Sequence, residues 1–131
     1  MFVRRCVQGL LLLCLTNALV GCAYPSLISI EITPTTETFI GAGGGHAQFT
    51  AIGTYQQGDH LATKQDITNV VTWSSNTTAV ATMSATGVVT GVGYGSADIT
   101  ASRMGYTGLI IGHAQAIVCH PDPSNPDKCA S

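Results

Sequence analysis

The sequence predicts an all-β fold, an immunoglobulin-like antiparallel β-sandwich of roughly seven or eight short strands. Three observations predict it. Apolar and polar residues alternate with a period of two in most segments, as they do in strands that bury one face. Turn-forming residues recur roughly every 8 to 12 residues, and helical periodicity is almost absent. Many threonines and β-branched residues suit a pleated sheet with one face in water.

The alternation also predicts where each strand lies. In chain order, the predicted strands cover residues 28–32, 39–40, 47–55, 66–74, 80–83, 88–90, 96–102 and 108–119. In the first strand, Ile28, Ile30 and Ile32 alternate with polar residues and are expected to share a buried face. A glycine-rich turn at 41–45 follows the second strand, and a polar loop at 57–65 follows the third.

Three side chains are predicted to form the centre of the core, Trp73, Phe49 and Ile99. Each occupies the apolar face of its predicted strand. Trp73 shares that face with Val71 and is expected to fill the space between the two sheets, because a large aromatic ring buries about 150–250 Å². The functional alternative for Trp73 is an exposed platform that stacks on a sugar.

Residues 71–101, VTWSSNTTAVATMSATGVVTGVGYGSADITA, resemble the bacterial immunoglobulin-like domain of group 2, which is found in invasin- and intimin-like surface proteins. The resemblance covers residues 27–118. It implies a non-catalytic module of the cell envelope that acts in adhesion, as a structural spacer or as a protein-docking surface. The Pro-rich C-terminal tail at 119–131 and the glycine-rich turn depart from the family pattern. Specificity is therefore expected in that tail, in the 41–45 turn or in the 57–65 loop.

The first 21 residues are predicted to be a cleaved lipoprotein signal peptide. Arg4 and Arg5 precede the apolar run at 10–15, which is too short for a transmembrane helix of about 20 residues. Residues 19–22, Leu-Val-Gly-Cys, resemble a bacterial lipobox, whose cysteine receives a diacylglycerol before cleavage. This implies that Cys22 anchors the mature chain to a membrane through lipid.

Residues 22–26 would then form the lipidated N-terminus and a short linker. The alanine at position 23, where an aspartate would retain a lipoprotein in the inner membrane, implies the outer membrane if the host is a diderm. The alternative is an ordinary secretory signal peptide that is cut near Ala23 or Tyr24.

Two cysteines remain after the signal peptide and Cys22 are set aside. Cys119 and Cys129 are an even pair in an exported chain, which predicts a disulfide that closes the tail. The alternative is a zinc site that uses both thiolates with His120 and, as a fourth ligand, His113. Zinc ligands are usually spaced two to four residues apart, and Cys119 and His120 are adjacent, so the disulfide is favoured and no metal site is predicted.

Composition argues against other function classes. Five Lys and Arg stand against seven Asp and Glu, and two of the cations belong to the predicted signal peptide, so no basic patch is available for nucleic acid. The four histidines are dispersed, and no nucleophile, base and orienting group come together in the sequence. We therefore predict no catalytic residues and no cofactor. The partners predicted are a membrane and an envelope protein or glycan. A carbohydrate- or peptidoglycan-binding accessory remains the alternative, through exposed aromatics such as Tyr55, Tyr94 and Tyr106.

Overall fold

Residues 24–131 are described by the structure, a computed structural model, and their strands confirm the predicted β-sandwich. The strands are β1 (Ser26–Thr33), β2 (Thr36–Ile40), β3 (His46–Gln48), β4 (Thr50–Gln56), β5 (Thr63–Asp66), β6 (Thr72–Ser75), β7 (Ala81–Met83), β8 (Val88–Gly91), β9 (Gly95–Met104), β10 (Leu109–Cys119), β11 (Pro121–Asp122) and β12 (Asn125–Cys129). In this part of the chain there is no helix, and thus none that could span a membrane.

The sandwich has a four-stranded sheet in one layer and two three-stranded sheets in the other. The four-stranded sheet has the order β2-β10-β9-β6. The orders β1-β4-β5 and β3-β8-β7 describe the smaller sheets, and β1 and β8 both pack against β10 across the core. Strands β11 and β12 form a separate hairpin after the last strand of the sandwich.

One strand pair departs from the predicted antiparallel arrangement. Strand β2 runs parallel to β10, from Thr36 opposite Gln115 to Ile40 opposite Cys119. Only two residues, Pro34 and Thr35, separate β1 from β2. The chain therefore passes from the sheet that contains β1 to the four-stranded sheet within this short connection.

A β-bulge changes which side chains β1 buries. The register of β1 against β4 shifts between Leu27 and Ser29. A one-residue shift moves the side chains to the opposite face, and accordingly Leu27 is buried while Ile28 is 51% exposed. Ile30 and Ile32 are buried as expected, but the prediction that Ile28 shares their face was wrong.

The predicted strand at 47–55 is divided between two sheets. Strand β3 pairs with β8, and β4 pairs with β1. Phe49 lies between them, and its backbone N–H donates to the carbonyl of Gly87 over 2.8 Å. The alternation of buried side chains continues through this break, which is why the sequence pattern does not reveal it.

The boundaries around the polar loop also differ from those predicted. Three residues expected in the loop, 63–65, form β5 together with Asp66 and pair with β4, and all four are exposed. The predicted strand at 66–74 is interrupted by a turn, in which the N–H groups of Val70 and Val71 both donate to the carbonyl of Ile67. Strand β6 begins only after this turn.

Phe49 and Ile99 are completely buried in the core between the layers. They belong to a continuous apolar cluster that includes Ile32, Val89 and Val118. Trp73 differs from the expectation of a fully buried plug, because β6 is an edge strand and leaves its ring partly exposed. The indole still packs on the cluster, with its ring stacked on Phe49 at a centroid distance of 6.5 Å.

Candidate functional site

A groove opens at the end of the sandwich where the described chain begins. Its volume is about 620 Å³, and it is lined by residues that include Tyr24, Leu27, Tyr55, Arg103, Met104 and Tyr106. We call it the N-terminal groove. Strand pairing explains its formation, since Leu27 in β1 lies opposite Tyr55 in β4. Residues far apart in the sequence thereby form one surface.

The β9–β10 hairpin forms the other wall of the N-terminal groove. The N–H of Gly105 donates to the carbonyl of Gly108 over 2.8 Å and closes the hairpin turn that carries Tyr106. A Cβ on Gly105 would lie 2.7 Å from the carbonyl oxygen of Leu27, so only glycine lets the hairpin approach β1 this closely. The hairpin tip is therefore fixed against the first residues of the sandwich.

The three tyrosines expected to bind a glycan do not form one surface. Tyr55 and Tyr106 both line the N-terminal groove, and the structure adds Tyr24, which the sequence did not single out for binding. Tyr94 lies just before β9, at the far end of that strand from Met104, and its ring stacks on His120 at a centroid distance of 3.5 Å. The aromatic surface thus consists of Tyr24, Tyr55 and Tyr106.

The tail expected to be a Pro-rich loop contains the β11–β12 hairpin. A disulfide joins Cys119 to Cys129 with a Cα–Cα distance of 5.5 Å, and the N–H of Ala130 donates to the carbonyl of His120 over 2.8 Å. Because the two sulfurs are bonded to each other, neither cysteine has a thiolate to offer the zinc site that was the alternative. Among residues 24–131, no group of three or more His, Cys, Asp or Glu side chains is placed to hold a metal ion.

Asp122 shapes the turn of this tail hairpin. Its carboxylate accepts hydrogen bonds from the backbone N–H of Ser124 over 2.7 Å and from its hydroxyl over 2.6 Å. These two bonds stabilise the charged form and hold the pKa of Asp122 below its usual value. The shifted pKa therefore reflects a turn rather than a catalytic environment.

The segment before the tryptophan strand forms a second hydrogen-bonded turn, which we call the polar corner and define by Asp66, Thr68 and Trp73. The hydroxyl of Thr68 donates to the Asp66 carboxylate and accepts from the backbone N–H of Ala51 over 3.0 Å. The indole N–H of Trp73 donates to the Thr68 carbonyl over 2.9 Å. Hydrogen bonds from the hydroxyl and N–H of Thr68 lower the pKa of Asp66.

The polar corner gives a structural role to residues that carry the family resemblance. Thr68 is buried, and its hydroxyl satisfies the backbone of the neighbouring strand β4. Trp73 covers the corner from the edge strand, with its ring nitrogen hydrogen-bonded inside the protein. Its contacts with Phe49 and with the Thr68 carbonyl are those of a side chain that holds the sheets together.

Two other segments expected to carry specificity also make internal contacts. In the 41–45 turn, the N–H groups of Gly41 and Gly44 donate to the carbonyls of Cys119 and Gly91. In the 57–65 loop, the side-chain amide of Gln56 donates to the carbonyls of Gly58 and His60. These contacts hold both segments against the sandwich. The predicted lipidation residue, Cys22, lies outside the described residues.

Comparison with known proteins supports the immunoglobulin-like fold. The family model described as bacterial Ig-like domain (group 2) matches residues 28–103. The chain is also 47% identical over 76 residues to ice-binding protein 1 of Shewanella frigidimarina (strain NCIMB 400). That alignment covers 58% of this chain but only 8% of the relative. The chain therefore spans a small part of the length of the curated relative it matches.

Proposed function

Since the chain belongs to the bacterial Ig-like domain family of group 2, whose pattern covers residues 28–103, we propose that it is a lipid-anchored, non-catalytic module of the cell envelope. Cys22 carries the lipid, and the sandwich serves as a docking surface or a spacer close to the membrane. The lipobox-like residues 19–22 support the anchor. In a diderm host, the anchored protein resides in the outer membrane.

The observation that carries this proposal is the short distance between the anchor and the fold. Strand β1 begins at Ser26, four residues after Cys22, so the linker spans about 14 Å at most. The longest strands have 10 and 11 residues, which at roughly 3.3 Å per residue gives a sandwich about 35 Å long. A partner that docks on this sandwich therefore lies within a few tens of ångströms of the membrane.

The name of the relative does not by itself assign a ligand to this chain. The name refers to the whole relative, and the aligned segment makes up only 8% of that protein. For the segment that the two proteins share, we propose the role that suits an immunoglobulin-like fold, which is to serve as a docking surface or as a spacer.

The anchor is tested by fractionating cells that produce the full chain. The wild-type protein is expected in the membrane fraction, and the Cys22→Ala variant in the soluble fraction, because one buried acyl methylene contributes about 0.8 kcal/mol and two or more chains hold a protein stably. Cys14→Ala, in the predicted signal peptide, is the matched control and is expected to leave the protein in the membrane. An unchanged distribution of Cys22→Ala would contradict the proposal.

Docking is tested by cross-linking the tagged, membrane-bound protein in intact envelopes. A docking role predicts one recurrent cross-linked envelope protein that is lost when the sandwich is unfolded by a core substitution such as Phe49→Ala. If only the anchored chain itself is recovered, the spacer role stands and the docking role is contradicted.

A further inference from the structure

We propose that the N-terminal groove rests against the headgroup layer of the membrane, so that Tyr24, Met104 and Tyr106 contact lipid and the sandwich stands upright on the bilayer. This inference rests on the lipid anchor at Cys22. It adds an orientation and a contact surface that the anchor alone does not determine.

The exposed apolar side chains around this groove are the first reason. Tyr24, Met104 and Tyr106 are 85%, 72% and 90% exposed, and Leu109, the strand partner of Met104, is 58% exposed. Single exposed apolar residues are common, but a cluster of large ones marks a surface that is covered by something. Within residues 24–131, most of the surface of each of these side chains is therefore left exposed.

The position of the groove in the chain identifies the membrane as the occupant. Tyr24 lies two residues after Cys22, so the lipidated sulfur is at most about 7 Å of backbone away. The hairpin that carries Met104 and Tyr106 is packed against Leu27, three residues further along. The anchor therefore brings this end of the sandwich to the bilayer surface whenever the lipid is inserted.

The side-chain chemistry suits a headgroup layer. Tyrosine has an apolar ring and a polar hydroxyl and is enriched at membrane interfaces, while methionine is flexible and apolar. Arg103 is the one charged side chain among those that line the groove, and it forms no ion pair with any residue from 24 to 131. Its guanidinium can donate paired hydrogen bonds to lipid phosphate oxygens. Asp59 directly follows Gly58, a lining residue, and its negative charge would offset part of the attraction of Arg103 to anionic lipids.

The opposite end of the sandwich provides the internal comparison. Strand β9 runs from Gly95 to Met104, so its two ends are about 30 Å apart. At the far end Val92 and Tyr94 are each 44% exposed, less than Tyr24, Met104 and Tyr106 at the groove, and the Tyr94 ring stacks on His120. If the groove faces the bilayer, Val92 points away from it and remains in water.

The test places a fluorescent label at each end of the lipidated full chain. Met104→Cys and Val92→Cys are labelled under non-reducing conditions with an environment-sensitive dye, and each protein is reconstituted into vesicles of phosphatidylethanolamine and phosphatidylglycerol. A fraction of the lipids carries a nitroxide near the headgroup. We expect a blue-shifted emission at position 104 that the nitroxide lipids quench, and an emission at position 92 that they leave unchanged.

Each other outcome overturns the orientation, and flotation of the vesicles separates it from the anchor. If the protein floats with the vesicles but label 104 is not quenched, the anchor stands and the groove does not face lipid. A blue shift without quenching assigns the groove to a second copy of the chain, and equal quenching at both positions means that the sandwich lies flat. If the protein does not float, both the anchor and the orientation fail. Tyr106→Cys is the second label site should Met104→Cys fold poorly.

Discussion

The Thr68→Val substitution removes a hydroxyl and keeps the shape of the side chain, which isolates the hydrogen bonds of the polar corner. In the folded protein this hydroxyl accepts from the N–H of Ala51, a completely buried residue, and donates to Asp66. Valine leaves the Ala51 N–H without an acceptor. A buried donor that loses its partner costs about 1–3 kcal/mol, so we expect a loss of about 2 kcal/mol in the free energy of unfolding.

For a domain of this size, that loss lowers the Tm by on the order of 10 °C. Thermal and urea denaturation of the disulfide-intact protein measure it. The matched control is Thr38→Val on β2, an exposed threonine that receives the same chemical change. It is expected to change stability by less than about 0.5 kcal/mol. Equal losses in the two variants would refute the role given to the polar corner.

Three further predictions concern the tryptophan, the carboxylate and the disulfide. Trp73→Ala should lower the free energy of unfolding, measured by urea denaturation, by about 2–4 kcal/mol, less than expected for a fully buried tryptophan. Trp73→Phe should lower it by about 1 kcal/mol, because only the hydrogen bond of the indole N–H is lost. Equal losses in the two variants would contradict the contact between the Trp73 and Phe49 rings. Since the pKa of Asp66 is lowered from 3.8, its carboxylate stabilises the fold above that pH and loses this effect as the pH falls through the lowered value. The stability difference between wild type and Asp66→Asn should therefore be present at pH 7 and disappear in acid, and a difference independent of pH would contradict it. Replacing Cys119 and Cys129 with alanine should speed hydrogen exchange in β11 and β12 and leave protection in β9 intact; loss of protection throughout would show that the disulfide holds the sandwich itself.

The sequence predicts best those strands that have one buried face and one solvent-exposed face. In β9 and β10, buried residues such as Ile99 and Ala116 alternate with exposed ones such as Asp98 and His113, so the period of two is visible in the chain. The alternation of apolar and polar residues indicates a strand that buries only one of its faces. These strands therefore appear in the structure close to their predicted limits.

The errors have physical causes that the pattern does not contain. All four residues of β5 are exposed, so this edge strand has no apolar alternation and resembles a polar loop. The bulge in β1 exposes Ile28, because a register shift depends on pairing with β4 rather than on the residues of β1. The parallel pairing of β2 depends in the same way on a distant strand, β10.

The groove could be predicted only in part. Tyr55 and Tyr106 are conspicuous as aromatic residues in a chain with few of them, but their sequence positions give no reason to place them together. Pairing of β1 with β4, and the contact of Gly105 with Leu27, bring them to one end of the sandwich. In the sequence, Tyr24 stands out only as a possible cleavage position, although it lines the groove together with both of these tyrosines.

The lipid anchor is tested most directly by mass spectrometry of the protein extracted from the membranes of the cell that makes it, on the intact chain before and after reduction and on its N-terminal peptide. We expect a mature chain that begins at Cys22, carries a diacylglycerol on its sulfur and gains two hydrogens when the Cys119–Cys129 disulfide is reduced. A chain that begins at Ala23 or Tyr24 without lipid, or one that retains residues 1–21, would contradict it.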